Sequence, residues 1–491
     1  MHRRVLGLVA LLAAFMWAAC SVETTVDDDD DDSGSGGQAP NLVGAADVSI
    51  REVAIYQGIK RTLAVDGTIA SSEVPLVAGR DALVRVFYST PRAGATVTGR
   101  IEFGTGETLE GEAVLVAEST DEGLETTVNF NVPGALVGAT FDYRVSILEE
   151  GPNDADNPAA HYPAAGLESH VVEGPQNTFR VVMAPFQYNA DGSGRVPDLS
   201  EPALEVYRQR LLQLYPVSNV EMRAREPVPW GGVIQPNGTG WQEVAIEAFG
   251  LRGQDGESED AYYYAIFNPA DSFPQFCGQG CLLGVTLLNA DPPDVGNPQL
   301  RIALGVGFPE VGPDTAAHEL GHAHGREHAN CGPGLDPQSI DQNFPHPGGQ
   351  IGAWGYDIVN RQLMPPTMTD IMGYCDNQWI SDYNYRALLD RGRNVNLPDG
   401  VIDEGFGYQL IAIDGEGEVT AWKDVADVPS VRFGRNNVSA AIFSSVGPTQ
   451  REGTFFRYDH LPGGWLLLPK TEHETTRVEA VVNGKLVVAQ R

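Results

Sequence analysis

Four of the chain's ten histidines fall between His318 and His328, in the segment Asp314-Thr-Ala-Ala-His318-Glu319-Leu-Gly-His322-Ala-His324-Gly325-Arg-Glu-His328. Their spacing dictates the local fold. His318 and His322 stand four apart, so on a helix they share a face, one turn from each other, and both imidazoles can reach one ion. Glu319 follows the first of them, which puts its carboxylate near a water on that ion. Asp314 reads as the helix N-cap. Gly325 reads as the stop, because glycine takes a left-handed backbone at little cost. The chain can then return His328 to the same ion. Zinc suits such a set: it has no directional d-electron preference and accepts three imidazoles while keeping a position for water or substrate. An amphipathic helix with surface histidines would leave the clustering unexplained. His324 lies outside the spacing and reads as a surface or supporting group.

The composite pattern His-Glu-x-x-His-x-x-Gly-x-x-His resembles the metzincin zinc metallopeptidases and matches their metal motif at every fixed position. That family also carries a methionine turn beneath the metal, and Asp370-Ile371-Met372-Gly373-Tyr374 is similar to it. The resemblance implies that Met372 forms an apolar floor under the imidazoles without ligating. It implies that Tyr374 ligates the metal or steadies the transition state. It implies a closing helix over Trp379 to Leu389. Tyr374-Cys375, Trp379-Ile380-Ser381, Pro347-Gly348-Gly349 and Gly352 to Asp357 are similar to secreted bacterial members. The likeness spans about Asn177 to Arg393 and is specific from Asp314 to Leu389. Ala329, after the third histidine, points to no subfamily. No cysteine-switch prosegment is seen, because no cysteine lies between Cys20 and the catalytic region.

The chain starts with His2-Arg3-Arg4, an apolar run from Val5 to Trp17, and Ala18-Ala19-Cys20. This is the layout of a signal peptide. It resembles a bacterial lipobox, with Trp17 where leucine is usual, and the resemblance implies lipidation of Cys20. Asp27 to Asp32 and Ser33 to Gly37 then read as a solvated, flexible tether. Cys277, Cys281, Cys331 and Cys375 remain, an even number that suggests two disulfides in an oxidising compartment. Cys277-Gly-Gln-Gly-Cys281 is short enough to close on itself. Cys331 and Cys375 flank the two motifs, and pairing them would staple the site. A zinc knuckle on Cys277 and Cys281 would lack a second pair.

With 491 residues the chain exceeds one core. Residues 1–20 read as a lipoprotein signal peptide and 21–41 as the tether. Residues 42–176 read as a β-sandwich-like domain, 177–398 as the catalytic domain and 399–491 as a small β domain. Strand alternation marks Ala82 to Tyr88, Thr126 to Val132 and Phe141 to Ile147. Thr178 to Pro185, Val220 to Arg225 and Ala261 to Phe267 read as strands, with helices over Pro202 to Leu214, capped by Ser200, and Trp241 to Phe249. Tyr408 to Ile413 and Glu418 to Trp422 read as strands, and Asn483-Gly484 as a hairpin turn. The expected class is an α+β metzincin-like catalytic domain flanked by the two β domains.

The formal charge of −34 repels phosphate backbones and anionic bilayers, which argues against nucleic-acid partners. Membrane association is expected only through the N-terminal lipid, and the protein is expected to be a monomer. Calcium is a second candidate cation, at Asp191-Gly192-Ser193-Gly194 and Asp399-Gly400, neither a full EF-hand loop. Together these features lead to an exported zinc endopeptidase, on the outer membrane or cell surface or secreted, acting on extracellular proteins or glycoproteins. The rival readings are a non-catalytic adhesin lipoprotein and a cell-wall peptide amidase.

Overall fold

The computed structural model describes residues 41–288, 300–395, 407–425 and 437–491. Cys20, the signal-peptide reading, all but the last residue of the tether, and Asp399-Gly400 lie outside the described residues. Among the described residues no helix is long and apolar enough to cross a membrane.

The α+β metzincin-like class does not hold for this chain. Of the described residues, 41% are in strands and 19% in helices, with five α-helices among them: α1 Glu201–Leu214, α2 Trp241–Asp255, α3 Phe273–Cys277, α4 Gly312–Ala323 and α5 Asp382–Val395. The motif helix dominates the sequence by its chemistry, not by its share of the chain. Most of the remainder is short runs of β-branched and aromatic residues between glycines and prolines, a composition that fits pleated surfaces.

The residues group into two compact units. The first comprises the described part of Met1–Val53 with Arg85–Asn131 and Tyr143–Glu168. In it, the Thr96–Phe103 strand pairs antiparallel with Thr108–Val114 on one side and with Tyr143 to Leu148 on the other. Val97, Ile101, Phe103, Tyr143, Val145 and Ile147 are buried. Gly99 is a packing requirement, since a Cβ there would run into Val128 and Phe130. The buried Arg85 guanidinium is satisfied by the carbonyls of Thr120, Asp121 and Gly123.

The second unit comprises Ala54–Val84, Val132–Asp142 and Ser169–Arg491. Its central sheet sets Asn219–Ala224, Thr178–Tyr188, Ala261–Phe267 and Ile302–Val306 side by side in parallel. The short Gly284–Thr286 strand closes one edge, antiparallel to Ile302–Val306. All seven residues of Ala261–Phe267 are buried, so both sheet faces are covered. Alternation sorts them: Tyr262, Tyr264 and Ile266 meet α1 and α4, whereas Tyr263, Ala265 and Phe267 meet α2.

The C-terminal residues form a seven-stranded antiparallel sheet. Its order is Val419–Val425, Tyr408–Asp414, Gly463–Pro469, Gly447–Arg457, Asn437–Ser444, Thr475–Val482 and Lys485–Gln490. The two outer strands approach each other, so the sheet is a nearly closed barrel. Ile411, Ile413, Leu466 and Leu468 fill its interior. Their neighbours Leu410, Ala412, Trp465 and Leu467 point outward and join the core around α2. Trp465 meets Phe249 edge to face, ring centroids 5.3 Å apart. This docking carries the turn after Arg457 to Glu319 and His322 of α4.

Candidate metal centre

Helix α4 begins at Gly312, and the backbone at Val311 serves as its cap. Asp314 is therefore not the N-cap. Pro313 is preset for a first helical turn, which starts the helix earlier than the acidic residue suggests. Asp314 instead lies inside that turn and pairs with Arg210 at 2.5 Å. The helix ends at Ala323, and Gly325 follows with φ 82°, the left-handed backbone that reverses the chain toward His328.

The three imidazoles of His318, His322 and His328 converge. His322 Nε2 lies 3.0 Å from His318 Nε2 and 3.1 Å from His328 Nε2. Their other nitrogens fix the tautomers. His318 Nδ1 faces the Ile371 carbonyl at 2.6 Å, and His322 Nδ1 faces the Arg326 carbonyl at 2.6 Å. A carbonyl only accepts, so both Nδ1 atoms carry hydrogen. His328 Nδ1 meets Ser339 Oγ at 2.8 Å, and that hydroxyl donates onward to Asp336 O, so it accepts from the ring. Burial holds His318 well below the ordinary imidazole range, brings His322 to about 4 and lowers His328 too. Three neutral rings thus aim three lone pairs at one point with no proton to share. This group, with His460 beside it, can hold a metal ion.

The floor comes from the second motif. Met372 is buried, and a Cβ on Gly321 of α4 would strike its sulfur. The buried Asp370 carboxylate shapes the turn by accepting from the amides of Met372 (2.7 Å) and Ser381 (2.8 Å) and from Asn384 Nδ2 (2.8 Å). Tyr374 brings its hydroxyl to 3.2 Å from His328 Nε2. Cys331 and Cys375 are disulfide-bonded across this turn, and Cys277 bonds Cys281. The expected closing helix is α5, beginning at Asp382 after the short Gln378–Trp379 strand.

His324 is not a surface group. It is buried, stacked on Tyr262 with ring centroids 4.4 Å apart, and bonded through Nδ1 to Leu320 O at 2.7 Å. Burial brings it to about 3. At the calcium candidate, Asp191 is engaged by Arg195 and the Ser193 amide. Among the described residues, the groups with metal-ligand spacing all lie at the histidine cluster.

Two further residues at the site have no sequence signal. Asp459 and His460 sit in the turn between the Gly447–Arg457 and Gly463–Pro469 strands of the barrel, and Tyr-Asp-His-Leu-Pro-Gly reads as an ordinary hairpin tip. Asp459 is buried and His460 partly buried against the cluster. His460 Nε2 is 3.2 Å from Glu319 Oε1 and 2.9 Å from Asp459 Oδ2, and its Nδ1 meets the Tyr374 hydroxyl. Asp459 Oδ2 lies 3.3 Å from His322 Nε2. Burial raises Glu319 to about 8, reinforced by Asp459. Burial works against the charge of His460, yet Asp459 and Glu319 raise it to about 10. Burial likewise opposes ionisation of Asp459, but His460 and His322 hold it far below the carboxylate range. Beside this group opens a cleft of about 880 Å³ lined by His318, Glu319, Tyr374, His460 and Leu461.

No protein-family model matches the sequence, and a search of curated proteins returned no match. The site therefore stands on its own geometry.

Proposed function

We propose that the chain is a zinc-dependent endopeptidase acting on extracellular proteins or glycoproteins. The observation that supports this is the convergence of three neutral Nε2 atoms beside the carboxylate of Glu319. His318, His322 and His328 would hold the ion, and three imidazoles suit zinc in particular. Zinc so held is a Lewis acid that acidifies water and polarises a carbonyl. Glu319, with its proton affinity raised by burial, is suited to take a proton from water and return it to the leaving amine. The Tyr374 hydroxyl is suited to donate to a developing oxyanion. Met372 and Asp370 keep the rings and Tyr374 in register from below. The likeness to metzincins is carried by these motif residues and not by the fold class.

The two disulfides fit an exported chain. Anchoring through a lipid on Cys20 belongs to the same proposal. The test is zinc content and casein cleavage of protein lacking the residues before Gln38, beside its Glu319→Ala twin. Zinc in both and cleavage only by the parent supports the reading; folded protein without zinc refutes it. A second reading, a non-catalytic metal-binding surface protein, draws on the engagement of both Glu319 oxygens, by Thr286 Oγ1 at 2.8 Å and by His460. Zinc uptake with no cleavage of casein, mucin or peptidoglycan would favour it.

A further inference from the structure

We infer that Arg457–His460, paired along the outer edge of the Gly284–Thr286 strand, is an internal inhibitor of the metal centre. The inference rests on the metallopeptidase reading and deepens it.

The pairing is that of an added strand. On its inner side Gly284–Thr286 is bonded to Ile302–Val306. On its outer side it continues into an antiparallel bridge between Leu287 and Tyr458. The Leu288 amide donates to Arg457 O at 3.0 Å, and the Asp459 amide donates to Thr286 O at 3.1 Å. The Thr286 amide donates to Asp459 Oδ1 at 2.8 Å. A side-chain oxygen thus takes the place that the backbone carbonyl of an added peptide would fill. Main-chain pairing of this kind binds any extended peptide, irrespective of sequence.

The end of the segment lies where the reacting bond belongs. A scissile amide must sit within reach of both the base and the oxyanion donor. The ring of His460 spans that gap, with Nε2 toward Glu319 and Nδ1 on the Tyr374 hydroxyl. Its centroid is 5.3, 5.5 and 4.9 Å from the rings of His318, His322 and His328. It also stacks on Tyr374, centroids 5.3 Å apart. Thr286 serves both roles, holding Glu319 through its hydroxyl and the segment through its amide. A substrate therefore pairs with this strand edge only by displacing the turn. The open cleft beside it gives the incoming peptide a place to start.

The test uses the zinc-loaded full chain and a short peptide hydroxamate, which needs both the metal and the strand edge. Binding is measured by calorimetry for the unaltered protein, His460→Ala and Asp459→Ala. A covered site lowers apparent affinity by the fraction of time it is open, so both variants are expected to bind about tenfold tighter or better. In the unaltered protein, hydroxamate binding should speed hydrogen exchange at the Asp459 amide. That second measurement decides the matter if a variant does not fold. Unchanged affinity, or a hydroxamate that binds while Asp459 stays protected, overturns the inference and leaves the peptidase reading intact. Absence of zinc from folded protein overturns both.

Discussion

The ring of His318 donates through Nδ1 to the backbone carbonyl of Ile371 at 2.6 Å, tying the first metal-site imidazole of α4 to the turn that carries Met372. One bond thus sets the tautomer of the ring and the height of the floor beneath it. The two motifs are far apart in sequence, yet they behave as one object, and substitutions in either should register at the metal.

Glu319 is the residue whose loss should separate binding from chemistry. Glu319→Ala is expected to lower kcat by about 10²- to 10⁴-fold, the span of general acid–base catalysis. Zinc stoichiometry should stay unchanged by atomic absorption. A variant that cleaves a fluorogenic peptide at the parental rate would sink the assignment.

Gly284 faces the same carboxylate from the sheet edge. A Cβ there would lie 2.6 Å from Glu319 Cδ. Gly284→Ala should therefore push the base out of line, lowering kcat while zinc content and folding persist. Equal kcat for parent and variant would show that the close approach has no functional weight.

Acid should destabilise the fold through His324. The unfolded side chain titrates near 6.5 and the folded one at about 3. Between those values the unfolded chain carries a proton that the folded chain lacks. Stability is therefore lost as pH falls, by about 1.4 kcal/mol per pH unit for this one group. His324→Phe keeps a ring against Tyr262 and removes the proton site. Urea unfolding across the range should show a shallower acid slope for the variant, although the lost bond to Leu320 costs about 1 kcal/mol at neutral pH.

The two disulfides should differ in weight. Cys331–Cys375 closes a sequence separation of 44, Cys277–Cys281 one of 4. In the chain-entropy account these are worth about 4 and about 2 kcal/mol. Cys331→Ser with Cys375→Ser should lower the urea midpoint more than the other pair, and should also weaken zinc binding, because the Tyr374 amide donates to Cys331 O. A larger loss from the Cys277 and Cys281 pair would contradict the loop argument.

What could be read from the sequence was local. A four-residue histidine spacing, a glycine after the helix and a run such as Ala261 to Phe267 each carry their geometry in a short window, and α4, Gly325 and that strand lie where such windows put them. The start of α4 was misread because Asp314 is a good cap in isolation, while Pro313 begins the turn ahead of it. Of the two readings of His324 the surface one fails, because spacing says nothing about an aromatic partner as distant in sequence as Tyr262. The α+β class fails for a related reason, since it rests on the one motif helix and not on the many short alternating strands around it. Asp459 and His460 were invisible. They reach the site only through the docking of the outer barrel face on α2, a contact set by Trp465 and Phe249 that no periodicity encodes.

The Gly284–Thr286 strand is also an exposed template in waiting. An unpaired sheet edge invites the same edge of another molecule, and proteins that leave one bare tend to aggregate. Arg457 to Asp459 cover this one within the molecule. A chain whose barrel turn is cut away or undocked would gain an open edge together with an open site, and at high concentration its molecules would join along it, so solubility and restraint depend on the same few hydrogen bonds.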